Sequence, residues 1–90
     1  MVAPTYTELF SEEQWSQLKE QLGLPPRQAE IARHIMHGKS DKQIARELGI
    51  SLPTVRTHMT RLFRKLDLND RVELILRVFT CLQECSEMRG

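Results

Sequence analysis

Long apolar runs are missing from this 90-residue chain, and none approaches the roughly 20 residues that a membrane-spanning helix needs. No membrane partner is therefore expected. Residues 1–10 contain Glu8 and no basic cluster, so they do not read as a signal peptide. Cysteine is scarce. Cys81 and Cys85 are too few and too close for a disulfide framework, which favours a reducing, cytoplasmic setting. The GxGxxG, P-loop, nucleophile-elbow and paired CxxC motifs are all absent. A chain this short has little core from which to build a deep pocket, so no enzyme activity is expected and no cofactor is implied. Neither sign of charge dominates, with 13 Lys and Arg against 12 Asp and Glu and a net charge of +1.

What is present is an uneven layout of that charge. Residues 1–24 are net −3, residues 25–66 net +6 and residues 67–90 net −2. Residues 51–66 hold Arg56, Arg61, Arg64 and Lys65 and no acid. A basic middle between acidic flanks suggests a localised anion-binding surface. Most charge runs are only solvated helix faces, so the organisation must decide.

The spacing predicts an all-α chain of five helices. The first, α1, covers residues 12–22. Ser11 and Gln14 make a capping box, Phe10 and Trp15 a hydrophobic staple, and Trp15, Leu18 and Leu22 an apolar stripe that should pack on the rest of the domain. Gly23 supplies the left-handed terminator. The second, α2, starts at Pro26, is weakly capped by Pro25, buries Ile31, Ala32, Ile35 and Met36, and ends at Gly38. The third, α3, lies between the N-cap Ser40, boxed with Gln43, and Gly49. The turn Gly49-Ile50-Ser51 leads into α4, residues 52–66. There Leu52, Val55, Met59, Leu62, Phe63 and Leu66 share an arc of about 100°. The fifth, α5, starts at Asp70, with Glu73 three residues on, and runs to about Glu84. It carries two apolar stripes, Val72, Ile75, Leu76 and Phe79 on one side and Leu74, Val78, Cys81 and Cys85 on another. A helix apolar on two sides needs two partners.

A short helix, a three-residue turn with glycine and a longer basic helix make a helix-turn-helix, whose second helix enters the DNA major groove. Arginine suits that role because its planar fork can donate two hydrogen bonds to guanine O6 and N7.

Residues 24–79 resemble the LuxR/GerE/NarL type of bacterial helix-turn-helix domain. The resemblance rests on Pro26-Arg27, Gly38-Lys39-Ser40-Asp41-Lys42-Gln43-Ile44-Ala45 and Leu48-Gly49-Ile50-Ser51. It continues through Thr54-Val55-Arg56-Thr57-His58, Arg64-Lys65-Leu66 and Asp70-Arg71-Val72-Glu73-Leu74. Region 4 of bacterial sigma factors shares the helix-turn-helix opening. Thr57-His58 and the full helix after Asn69-Asp70-Arg71 favour the LuxR type. The chain departs from the family at Pro25 and Gln28, where a Thr and a Glu usually form a capping box.

The resemblance implies a four-helix, sequence-specific DNA-binding transcriptional regulator, here with one additional N-terminal helix. On this division residues 1–23 are an extension, 24–80 the DNA-binding domain and 81–90 the end of the last helix and a tail. The chain is then either a stand-alone regulator or a fragment of a longer one. Arg56, Thr57, Thr60 and Arg61 are expected at base edges, and Lys42, Ser51, Thr54, Arg64 and Lys65 at phosphates. The family pairs through its last helix on duplex DNA, so a homodimer is expected with Leu74, Val78, Cys81 and Cys85 at the interface. RNA polymerase stays open as a further partner. The bland alternative is a helical protein-interaction module, which has no need of an acid-free α4. His34 and His37 have no evident third metal ligand and are expected to act on the C-terminus of α2. His58 borders the core arc and is expected to be structural.

Overall fold

The computed structural model describes residues 10–89, with side chains to residue 84. Among these residues there are five helices and no strand: α1 Glu12–Leu22, α2 Pro26–Met36, α3 Asp41–Leu48, α4 Leu52–Leu66 and α5 Arg71–Arg89. The fold is all-α, as the periodicity predicts. The last helix runs to Arg89, beyond the expected end near Glu84, since no Gly or Pro interrupts residues 71–89.

Local chemistry sets most of the boundaries. At α1 and α3 both halves of the capping box form: Ser11 and Ser40 accept from the N–H groups of Gln14 and Gln43, whose side chains accept in return. Pro25 offers α2 no side-chain cap, as its chemistry requires. At α5, Asp70 accepts from the Glu73 N–H at 3.0 Å, but the Glu73 carboxylate reaches back to the Asn69 N–H at 2.7 Å. The end of α4 is unusual. Asp67 takes a left-handed conformation, φ 59° and ψ 49°, which lets Leu68 N–H donate to the Phe63 carbonyl at 2.8 Å.

The helices share one core. α4 packs on both α2 and α3, and α5 packs on α1 and α2. Leu18, Ile31, Ile35, Ile44, Val55 and Leu62 are fully buried, together with Leu74 and Val78. Among the described residues no polar or charged side chain is buried with them. α1 joins this core through Trp15 and Leu18, with Leu22 partly buried against it, as its stripe predicts. Arg33 of α2 reinforces the junction. Its guanidinium pairs with Glu12 at 2.7 Å and lies 5.6 Å from the Trp15 ring. The Arg33 hydrogen bond holds the Glu12 carboxyl below its ordinary pKa.

The α5 stripe expected at a dimer interface lies instead in the core, and Ile75 of the other stripe is partly buried against it. Leu74 and Val78 are 0% exposed and Cys81 is buried, so they face the core of their own chain and are not a free surface. Cys85 belongs to the same stripe, but its side chain lies outside the described residues. The open stripe is Val72 at 62%, Leu76 at 60% and Phe79 at 45% exposure. Periodicity detects both stripes but not which one docks. The surface that α1 and α2 present selects the side that docks.

Candidate nucleic-acid interface

The Ser51 hydroxyl accepts from the Thr54 N–H at 3.2 Å and lies 2.8 Å from the Thr54 hydroxyl. This fixes the first turn of α4, where Pro53 has no N–H and that of Thr54 is taken by Ser51, so it is the helix dipole that favours an anion at this end. Val55, Met59, Leu62 and Leu66 turn inward against α2 and α3. The burial of that side forces the other outward. Arg56, Thr57, Thr60, Arg61 and Arg64 are all exposed.

Helical geometry divides these residues. Thr57 and Arg64 lie near the centre of the outward face, Thr60 and Arg56 turn toward one flank, and Arg61 toward the other. Arg56 faces the start of α3, with its Nε 3.6 Å from Asp41 Oδ2. The Thr57 hydroxyl donates to the Pro53 carbonyl at 3.1 Å. Its proton is thus engaged, and it presents an oxygen lone pair and a methyl group outward.

Lys42 is exposed in the first turn of α3. Lys65 sits apart from the other expected phosphate residues. Its Cε lies 3.7 Å from the place a Cβ on Gly23 would occupy, so it is beside the α1–α2 turn. Ser51 and Thr54 are at the opposite end of α4, roughly 20 Å away at 1.5 Å per residue. The structure therefore groups Arg56, Thr57, Thr60, Arg61 and Arg64 on one helix, and leaves Lys65 at its rim.

Two charged networks frame this surface. Arg71, at the start of α5, donates from Nη1 to the Lys39 carbonyl at 3.0 Å and from Nη2 to the Asp41 carboxylate. Arg71 thus caps the segment that leads into α3. Behind α3, Lys39 binds Glu47 at 2.6 Å and lowers its carboxyl pKa, with His34 Nδ1 3.8 Å from the same oxygen. The His34 pKa is lowered, first by burial and then by Lys39, with Glu47 opposing. His37 Nδ1 donates to the Arg33 carbonyl at 2.8 Å, the helix-terminus role expected of it. His58 is half-buried at the edge of the core arc. The pairing of Asp41 with both Arg56 and Arg71 is not legible in the sequence, since the partners are 15 and 30 residues away. The only signal is an acid inside an otherwise basic segment.

No helix among the described residues is long and apolar enough to cross a membrane. None of their His, Cys, Asp and Glu side chains cluster in threes that could hold a metal ion.

A family model described as GerE, bacterial regulatory proteins of the luxR family, matches residues 22–78. The chain is 41% identical over 56 residues to the monoamine regulon transcriptional regulator of Klebsiella aerogenes, covering 62% of this chain and 25% of that protein. It is 44% identical over 50 residues to the transcriptional regulatory protein LiaR of Bacillus subtilis, covering 56% and 24%. It is 39% identical over 56 residues to the transcriptional regulatory protein UhpA of Escherichia coli, covering 62% and 29%. The matched segment thus spans only about a quarter of the length of each of these regulators. No solved structure matches the chain.

Proposed function

The chain belongs to the luxR family of bacterial regulatory proteins, and on that premise we propose that it is a sequence-specific regulator of transcription that reads the DNA major groove with α4. The observation that carries this reading is the outward face of α4. Burial of Val55, Met59 and Leu62 turns Arg56, Thr57, Thr60, Arg61 and Arg64 to solvent on one face of a helix that carries no acid of its own. In the proposed complex Arg56 donates to a guanine edge. Thr57, whose proton is held by Pro53, offers its methyl to thymine or its oxygen to a donor. Arg61 and Thr60 complete the base contacts. Lys42, Ser51, Thr54, Arg64 and Lys65 hold phosphates, which fix register rather than sequence.

The proposed active form is a two-fold pair on DNA, formed in the cytoplasm and joined through α5. Its contact is the open stripe of Val72, Leu76 and Phe79, because the stripe of Leu74, Val78 and Cys81 is consumed by the core. Such a pair sets two α4 helices in successive major grooves, about 34 Å apart. The test is selection of bound duplexes from a random pool by the purified chain. The expected outcome is an enriched inverted repeat with centres one helical turn apart. Enrichment of no sequence would sink the reading, and enrichment of single half-sites would remove the pairing.

A further inference from the structure

We infer that Asp41 is a positioning residue for Arg56 and sets how sharply Arg56 discriminates its base pair. This rests on the base-reading role given to Arg56 above. Residues 25–66 contain three acids. Glu30 pairs with Arg27 on its own helix, and Glu47 pairs with Lys39 behind α3. Asp41 alone of the three pairs with a base on the outward face of α4.

Asp41 is the first residue of α3, and its carboxylate bridges two other helices. Oδ1 accepts from Nη2 of Arg71, whose Nη1 is tied to the Lys39 carbonyl at 3.0 Å. The carboxylate is thereby fixed from behind. Its second oxygen, Oδ2, lies 3.6 Å from Nε of Arg56. The Asp41 side chain is 27% exposed and that of Arg56 is 64% exposed, so the sheltered partner anchors the open one.

Two consequences follow from the chemistry of arginine. At 3.6 Å the contact is an ion pair and not a hydrogen bond, but the carboxylate lies on the Nε side of a planar, rigid guanidinium and so favours orientations that turn that edge toward α3. Nη1 and Nη2 are left to donate to an outside acceptor pair, the arrangement that guanine O6 and N7 require. The charge of the carboxylate also acts. It offsets the attraction of Arg56 for phosphate, which is the only attraction non-specific DNA offers. A geometry-matched base contact keeps its hydrogen bonds. Asp41 therefore lowers affinity for random duplexes and raises discrimination together. A purely structural tie would also lower affinity for random duplexes through its charge, but it would leave discrimination at a single base pair unchanged.

The test measures binding of the full chain to a selected duplex, to versions substituted at each base pair, and to random duplex. It compares the unmodified protein with Asp41→Asn, Arg56→Ala and the double variant. Asp41→Asn should lower the preference at the base pair read by Arg56 by roughly three- to tenfold and tighten binding to random duplex. In the Arg56→Ala background Asp41→Asn should leave that preference unchanged. An Asp41→Asn variant with full preference, beside an Arg56→Ala variant that has lost it, overturns the inference alone. Equal loss in both backgrounds also overturns it. If Arg56→Ala changes no base preference, the reading role of Arg56 falls, and the inference with it.

Discussion

The rings of Phe10 and Trp15 stack, with centroids 5.1 Å apart and planes 12° apart. Both are buried, one just before the N-cap Ser11 and the other in the second turn of α1. Their contact fixes the angle at which the chain enters the helix. It also makes α1 part of the core instead of an appended arm. Trp15→Ala should accordingly cost about 3–5 kcal/mol of unfolding free energy, as for other buried large-to-small changes. Denaturant titration measures it, and a change near zero would mean that α1 contributes nothing to the core.

Base and phosphate contacts separate by their response to sequence. Arg56→Ala should lose about 1–3 kcal/mol on a selected site and relax the preference at one position. Lys42→Ala should weaken all duplexes alike and reduce the salt slope by about one unit. Titrations on selected and random duplexes at several salt concentrations distinguish the two. Equal losses of both variants on both duplexes would show the assignment to be wrong.

The two stripes of α5 respond differently to the same charge. Val78 is fully buried in an apolar core, so Val78→Glu places a carboxylate where no partner exists and should unfold the domain. Leu76 is 60% exposed, so Leu76→Glu should leave the monomer folded and abolish cooperative occupancy of paired half-sites. Thermal unfolding and binding to full and half sites read both effects. A folded Val78→Glu protein would contradict the packing, and a Leu76→Glu protein that still pairs would contradict the interface.

Asp67 holds a conformation with φ 59° that glycine adopts more readily, and its charge sits at the negative end of α4. Asp67→Gly should therefore stabilise the fold by roughly 0.5–1 kcal/mol, measured as a raised unfolding midpoint with DNA binding preserved. A lowered midpoint would show that the aspartate side chain contributes more than its backbone costs.

Burial, reinforced by Lys39, holds the His34 imidazole below its ordinary pKa. The unfolded chain therefore takes up this proton at higher pH than the folded one. Stability should decline as pH falls below about 6.5 and stop declining on this account below the folded value. His34→Gln should flatten the pH–stability curve in that window. An unchanged slope would assign the dependence to other groups. The depressed carboxyls of Glu12 and Glu47 act at lower pH, where their pairs with Arg33 and Lys39 are lost on protonation.

The helices and their starts were legible because short-range chemistry sets them. Ser11 with Gln14, Ser40 with Gln43, and Ser51 at α4 each act within one turn. The outward face of α4 followed from the period of Val55, Met59 and Leu62. The docking side of α5 was not legible, because Leu74-Val78 and Val72-Leu76 have the same spacing and similar hydrophobicity. Only the shape of α1 and α2 chooses between them. The bridge from Arg71 through Asp41 to Arg56 was hidden for a related reason. It joins three helices across 30 residues, and no local period records it.

That bridge has a mechanical side. Arg71 fastens the first turn of α5 to the Lys39 carbonyl and to Asp41 at the head of α3. In a pair joined at Val72 and Leu76, the joint lies within two turns of this fastening. Each subunit then behaves as one arm of a stiff caliper, with little play between its pivot and its reading tip. One added base pair moves a half-site by about 3.4 Å and turns it by about 35°. A stiff caliper absorbs neither displacement, so operators for this chain should tolerate almost no variation in spacer length, even where every contacted base is kept.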